Sequence, residues 1–394
     1  LRRVVTSYTL YESQTQVCIF NTVALYFCIV IYIIVAHFGG TSLIDLLGID
    51  DYLVVDRARQ ASAPKGYAHL AGLFFYSFIG LGLEMTRRFQ KPPLALQDQI
   101  NHLRAAGMVV PDESRAERWL KHVSYYRLSG YWHVWKDRLS AEETRFVADS
   151  NFDTICDLYA FDQDLRDCVG HAVEQIEVAL RGAWAYALAQ NSGSHGYLDA
   201  ALYSDRREFH QMLGKLAVET GWSAETYIRH YRETYHEPAL PAVWMVAEMM
   251  SFGQLSRWYS LLIDSKLRAQ IAKPFGLREQ QFVSIVKHLV DIRNICAHHG
   301  RLWNRGFRSP PQLPKKPVDL NKSLDTTQAG YAAGKLYNSL VLLLHLVSAI
   351  DPESTWRSDI ARVLRRHPTG DLATMGFPAD WLERPYWKGA WGGG

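Results

Sequence analysis

Residues 282–304 read FVSIVKHLVDIRNICAHHGRLWN. Phe282, Val283, Ile285, Val286, Leu289, Val290 and Ile292 recur at three- and four-residue steps, the spacing that gathers apolar side chains on one stripe of a helix. Arg293, Asn294, His298 and His299 follow on the next turns, so the helix closes with a cation, an amide and two imidazoles. Asn294 and His298 are one turn apart and Arg293 precedes His298 by five residues, which lets their polar ends meet a single bound group. The plainer alternative is an ordinary helix end, where Arg293 pairs with Asp291 or a distant acid and the histidines complement the dipole.

Outward from this stretch the helical period persists. Helices are expected over 94–106, entered through Pro92 and Pro93 and stopped at Gly107, over 115–123 behind a Ser114 cap, and from Ser150 or Asn151 to about residue 190. Further helices are expected over 205–219, 224–235, 242–263, 328–350 and 354–366, with Met245, Met249 and Met250 as gap-filling core. No strand-like alternation persists after Met85, so the fold class is all-α. Residues 124–135, SYYRLSGYWHVW, suit either a platform for stacking bases or a core turn, and their aromatic density favours core. Along the long helix, Asp153, Asp157, Asp162, Asp164, Asp167, Glu174 and Glu177 read as a solvated face. Glu177 and Arg181, four apart, form an expected ion pair, one member of which could face Arg293 and His298.

Composition sets limits. In a chain of 394 residues that is 48% hydrophobic and 21% charged, disorder is not the main story. A net charge of +3 makes no case for nucleic acid unless the charge is concentrated. It is concentrated after the motif: Arg301, Arg305, Arg308, Lys315 and Lys316 follow with no acid between Asp291 and Asp319, a stretch suited to a phosphate backbone. Five cysteines without CxxC or Cys/His metal spacing point to a reduced, cytoplasmic setting, with no metal and no cofactor expected. Residues 1–84 contain no methionine, and Met85 is followed at once by TRRFQKPPL, which points to translated upstream sequence. The physical alternative is a membrane hairpin built from the apolar runs 17–38 and 68–83, which would anchor the protein in the inner membrane. Residues 382–394, ending GAWGGG, are expected to fray.

Common nucleotide, zinc-protease and hydrolase signatures are absent after Met85. The Arg-x4-His spacing alone decides little, since it occurs at Arg166/His171, Arg293/His298 and Arg362/His367. Context separates the second of these: RNICAHHGRLWN resembles the RNxxAHHxRxWN signature of Abi-like proteins (AbiD/AbiF type), bacterial abortive-infection proteins of the HEPN superfamily. KPPLALQDQINHLRAAG, YYRLSGY, LYAFDQDLRDCV, VEQIEVALR and MGFPADW extend the resemblance over residues 85–381.

The resemblance implies a HEPN-like helical bundle with additional N- and C-terminal helices. It also implies a metal-independent endoribonuclease with Arg293, Asn294 and His298 as catalytic residues and His299 and Asn304 in support, in which motifs from two protomers of a homodimer share one cleft. RNA carries its own nucleophile. A histidine that takes the 2'-OH proton and an arginine that holds charge on phosphorus suffice to give 2',3'-cyclic phosphate and 5'-OH ends. A non-catalytic protein that holds a cognate noncoding RNA on the same basic stretch is the competing expectation.

Overall fold

In the computed structural model the described residues are 91–137, 145–307, 309–327 and 334–390. They form 13 α-helices and no strand, only isolated bridges such as Val109 with Asn151. Both apolar runs of the possible hairpin lie outside the described residues, and so do Cys18 and Cys28. Among those described, no helix is long and apolar enough to cross a membrane.

The first three helices are α1 (Leu96–Ala105), α2 (Glu113–His122) and α3 (Tyr125–Trp132). Then comes α4 (Phe152–Ser192), the axis of the fold, with 41 residues. At the usual helical rise it is a rod about 60 Å long. Its start is fixed by Asn151, whose Oδ1 accepts the Asp153 amide at 2.8 Å, and it ends at Gly193 with φ 77°. No proline interrupts it, and buried side chains such as Ile155, Leu158, Leu165, Val169, Val173, Ile176, Leu180, Trp184 and Leu188 recur at helical steps along its length.

The remaining helices are α5 (Arg206–Trp222), α6 (Thr226–Thr234), α7 (Val243–Met249), α8 (Phe252–Ser260), α9 (Ser265–Ala272), α10 (Glu279–Ala297), α11 (Val318–Ser323), α12 (Leu336–Ile350) and α13 (Trp356–Arg365). Helices α3, α7, α9, α10, α12 and α13 all pack against α4. α12 is buried almost throughout, which explains its unbroken apolar composition.

Three expectations need correction. The helix expected over 242–263 is two, because Ser251 starts a new one with a capping box: its Oγ accepts the Gln254 amide at 3.3 Å and its own amide donates to Gln254 Oε1 at 2.8 Å. The cap of α2 is Asp112, which accepts the Arg115 amide at 2.9 Å, rather than Ser114. The segment from 382 to 390 does not fray: Trp387 is fully buried beside Tyr337, Phe377 and Trp381, and Tyr386 bonds His345 Nδ1 at 2.8 Å.

Candidate functional site

The chemistry-bearing end of α10 is shaped by how the helix stops. His298 caps it, and His299 turns left-handed at φ 55°. The Gly300 amide then reaches back to the Ile295 carbonyl at 2.8 Å and the His299 amide to that of Cys296 at 3.1 Å, the Schellman arrangement. A left-handed non-glycine residue costs about 1–2 kcal/mol. Arg127 holds it there by donating to the His299 carbonyl through both terminal nitrogens, at 2.9 and 2.8 Å. His298 is thus left exposed at the helix end, and among the described residues its imidazole makes no hydrogen bond.

The loop after this turn is pinned by Asp162, which is fully buried in α4. Its carboxyl accepts the Leu302 amide at 3.1 Å, the Trp303 amide at 2.6 Å and the Tyr131 hydroxyl at 2.6 Å, and it pairs with Arg166. Burial pushes this carboxyl up and the Tyr131 phenol up, against the pull of the Arg166 charge. Trp303 lies nearly parallel to the rings of Tyr131 and Trp135 and donates its indole N–H to His367 Nε2 at 3.0 Å. That bond needs a neutral imidazole, and burial holds His367 below its ordinary range.

Between α4 and α10 lies a cleft of about 520 Å³ lined by Arg166, His171, Glu174, Glu177, Arg181 and Arg293, among others. The helices meet at Gly170 of α4, where a Cβ would stand at an ordinary contact distance, 3.8 Å, from Cys296 Cβ. Two of the three cations are committed elsewhere. Arg166 serves Asp162, while Arg181 pairs with Glu177 and donates to the carbonyls of Ala247 and Glu248. Arg293 is held more loosely. Its Nε stands 3.7 Å from Glu177 Oε2, it donates to Asn294 Oδ1 at 3.4 Å, and its side chain is 39% exposed. A guanidinium so placed can exchange a loose carboxylate contact for a phosphate oxygen. Cys296 also lines the cleft, and burial pushes its thiol up to about 12, so it stands there as an apolar wall.

The expected site residues therefore divide. Arg293, Glu177 and Arg181 share the cleft; Asn294 and His298 are exposed on the same helix end without lining it. His299 contributes a helix stop, and its side chain is exposed. Asn304, left-handed at φ 49°, takes Lys335 Nζ on its Oδ1 at 2.5 Å and belongs to a turn. Of the basic stretch, Lys315 and Lys316 are exposed, but Arg301 lies over the Trp303 ring at 5.8 Å and Arg305 donates to the Arg301 carbonyl at 3.2 Å, both half-buried. Arg308 lies outside the described residues. Asp162 and Glu177 correct the expectation of a solvated acidic face, and Arg127 and His171 are additions to the expected site residues. The only signal for His171 was its own Arg-x4-His match, whose arginine serves Asp162 instead.

Against known proteins, residues 118–304 match the sequence profile of the family described as Abi-like protein. No curated protein and no solved structure matches the chain.

Proposed function

Residues 118–304 place this chain among the Abi-like proteins, and from that premise we propose that it is a phage-defence ribonuclease that cuts RNA by attack of the 2'-hydroxyl on the neighbouring phosphorus. The family points to abortive infection; the nuclease reading rests on one observation. Arg293 is the loosely held cation of the α4–α10 cleft, and it stands five residues before an exposed imidazole, His298, that has no partner among the described residues.

In this reading His298 takes the 2'-OH proton, the freed oxygen bonds to phosphorus, and the bond from phosphorus to the 5' oxygen breaks. The departing oxygen takes up a proton, leaving a 2',3'-cyclic phosphate and a 5'-OH. Arg293 donates to the non-bridging oxygens as charge grows on them, and Glu177 keeps its guanidinium in the cleft meanwhile. A positioned base contributes about 10²- to 10⁴-fold. A second imidazole, to protonate the departing oxygen, would come from the motif of a partner protomer in a homodimer. Val178 on the cleft wall and Tyr186 two turns along the same face of α4 are exposed apolar side chains suited to such a contact.

The test is cleavage of total RNA by purified protein, with the new 5' ends sequenced. His298→Ala should abolish cleavage and keep binding, EDTA should leave cleavage unchanged, and mixing His298→Ala with Arg293→Ala should restore part of it if two chains share a site. Undiminished cleavage by His298→Ala overturns the assignment. The second reading, a protein that holds a noncoding RNA without cutting it, is favoured by the exposed Lys315 and Lys316. It would be upheld by an unaltered defence phenotype in His298→Ala.

A further inference from the structure

A second pocket, of about 380 Å³, lies between α2 and α4, and Arg118, Trp119, His122, Tyr159 and Gln163 line it. Its construction is regular. Arg118 and His122 are one turn apart on α2, as are Tyr159 and Gln163 on α4, so each pair presents its ends side by side. Trp119 meets Tyr159 edge to face, with centroids 5.6 Å apart and planes at 81°. The two rings make an aromatic corner, its Trp119 side half-exposed.

The polar groups around this corner are unspent. Arg115, also on the wall, is neutralised by Asp153 and Asp157. The guanidinium of Arg118, the imidazole of His122 and the carboxamide of Gln163 have no hydrogen-bond or ion-pair partner among the described residues. Elsewhere in this fold arginines are mostly engaged, as Arg127, Arg166, Arg181, Arg232, Arg257, Arg268 and Arg384 show. A flat aromatic surface, a carboxamide that both donates and accepts, and a guanidinium beside an imidazole together match a base, its edge and its phosphate.

The pocket is also joined to the cleavage site. Val123, on its wall, is four residues from Arg127, a span of at most about 14 Å, and Arg127 grips the His299 carbonyl. Between them stands Tyr126, a tyrosine 89% exposed. The chain thus runs from the pocket wall through Tyr126 to Arg127 at the end of α10.

We propose that the Arg118–Trp119–His122–Tyr159–Gln163 pocket binds one nucleotide of single-stranded RNA, with the base on the Trp119–Tyr159 corner, Gln163 on the base edge, and a flanking phosphate on Arg118 and His122. This rests on the reading of the protein as RNA-directed, and it holds whether the RNA is cut or only held.

The experiment measures affinity of the full chain for a fluorescent 2'-O-methyl oligouridylate, which has no 2'-OH to attack, and for the same oligomer with abasic sugars. Trp119→Ala should weaken uridylate binding about 5- to 150-fold, the range that stacking of one base spans, and should leave abasic binding unchanged. Arg118→Ala should weaken both oligomers and lower the slope of log affinity against log salt by about one. Because Trp119 also packs in the fold, Trp119→Phe should recover most of the affinity, and Gln163→Leu, at an exposed position, should weaken uridylate binding without lowering the melting temperature. Unchanged affinity in Trp119→Ala and Gln163→Leu overturns the pocket while leaving the RNA reading standing. Equal losses for both oligomers overturn base recognition and leave an anion site. No binding of either oligomer by the wild-type protein overturns both.

Discussion

At the scale of single residues, Asp162 shows how a charged side chain becomes structural. It gathers two backbone amides, a phenol and a guanidinium into one buried point, and its replacement leaves Arg166 as an uncompensated buried cation. Asp162→Asn should therefore cost about 3–5 kcal/mol in denaturant unfolding, and adding Arg166→Met should recover much of that loss. Additive losses in the double variant would refute the account. Asp162 falls four residues after Leu158 and three before Leu165, on the buried stripe of α4, whereas Asp164 is half-exposed; the periodicity does not reveal that the partners of Asp162 are Leu302 and Trp303, 140 and 141 residues away. The helix end that carries Arg293 and His298 was legible because its periodicity is local, while the Glu177 contact of Arg293 comes from a distant part of the chain. Asn304 and Arg301 stand in the same motif yet serve the turn, and the spacing of polar residues in a sequence does not separate those roles.

At the scale of elements, the site is an encounter between the middle of α4 and the last turns of α10. Both helices were legible from their periodicity and from the Asn151 cap; the break between α7 and α8 was missed although the S-x-x-Q pattern of Ser251 and Gln254 announces it. Gly170 lies where the two site helices meet. A methyl group there meets Cys296 at an ordinary 3.8 Å, so Gly170→Ala should be accepted. It should raise stability by about 0.8–1 kcal/mol through helix propensity, read from denaturant unfolding. Gly170→Leu should spread the helices or fill the cleft and cut RNA cleavage at least tenfold with the chain still folded by circular dichroism. Full activity in Gly170→Leu would separate the cleft from the chemistry. The seat of α10 also depends on pH. His288 lies between the Ser309 carbonyl and the Ser339 hydroxyl, at 3.2 and 2.8 Å, and burial holds its imidazole down to about 4. Between about pH 6.5 and 4 the unfolded chain binds a proton at this histidine that the folded chain refuses. Stability from this source is complete above about pH 6.5 and is lost as pH falls, by about 3 kcal/mol in all. The melting temperature of His288→Gln should accordingly fall less steeply than that of the wild type over this window, and parallel curves would remove His288 from the explanation.

At the scale of the whole molecule, residues 93–390 organise around one rod, α4, with α10, α12 and α13 applied to it from late in the chain. Late segments hold early ones repeatedly. Trp356 donates to the Cys168 carbonyl at 2.8 Å, Arg366 pairs with Asp164, and His367 takes the indole proton of Trp303 in a hydrogen bond. His345 and His367, like His288, are held below their ordinary range by burial, so acid should strain the C-terminal half of the fold at several points together. The binding of Trp303 at both ends, by Asp162 from earlier in the chain and by His367 from later, bears on synthesis. A ribosome delivers Asp162 long before Trp303, and Trp303 before His367, while closures over such separations are the slow steps of folding. A nascent chain carries Asp162, Arg293 and His298 by the time Leu302 and Trp303 emerge, but His367, the other partner of Trp303, follows 64 residues later. The last clamp on the loop behind the motif is therefore delivered in translation well after the motif itself.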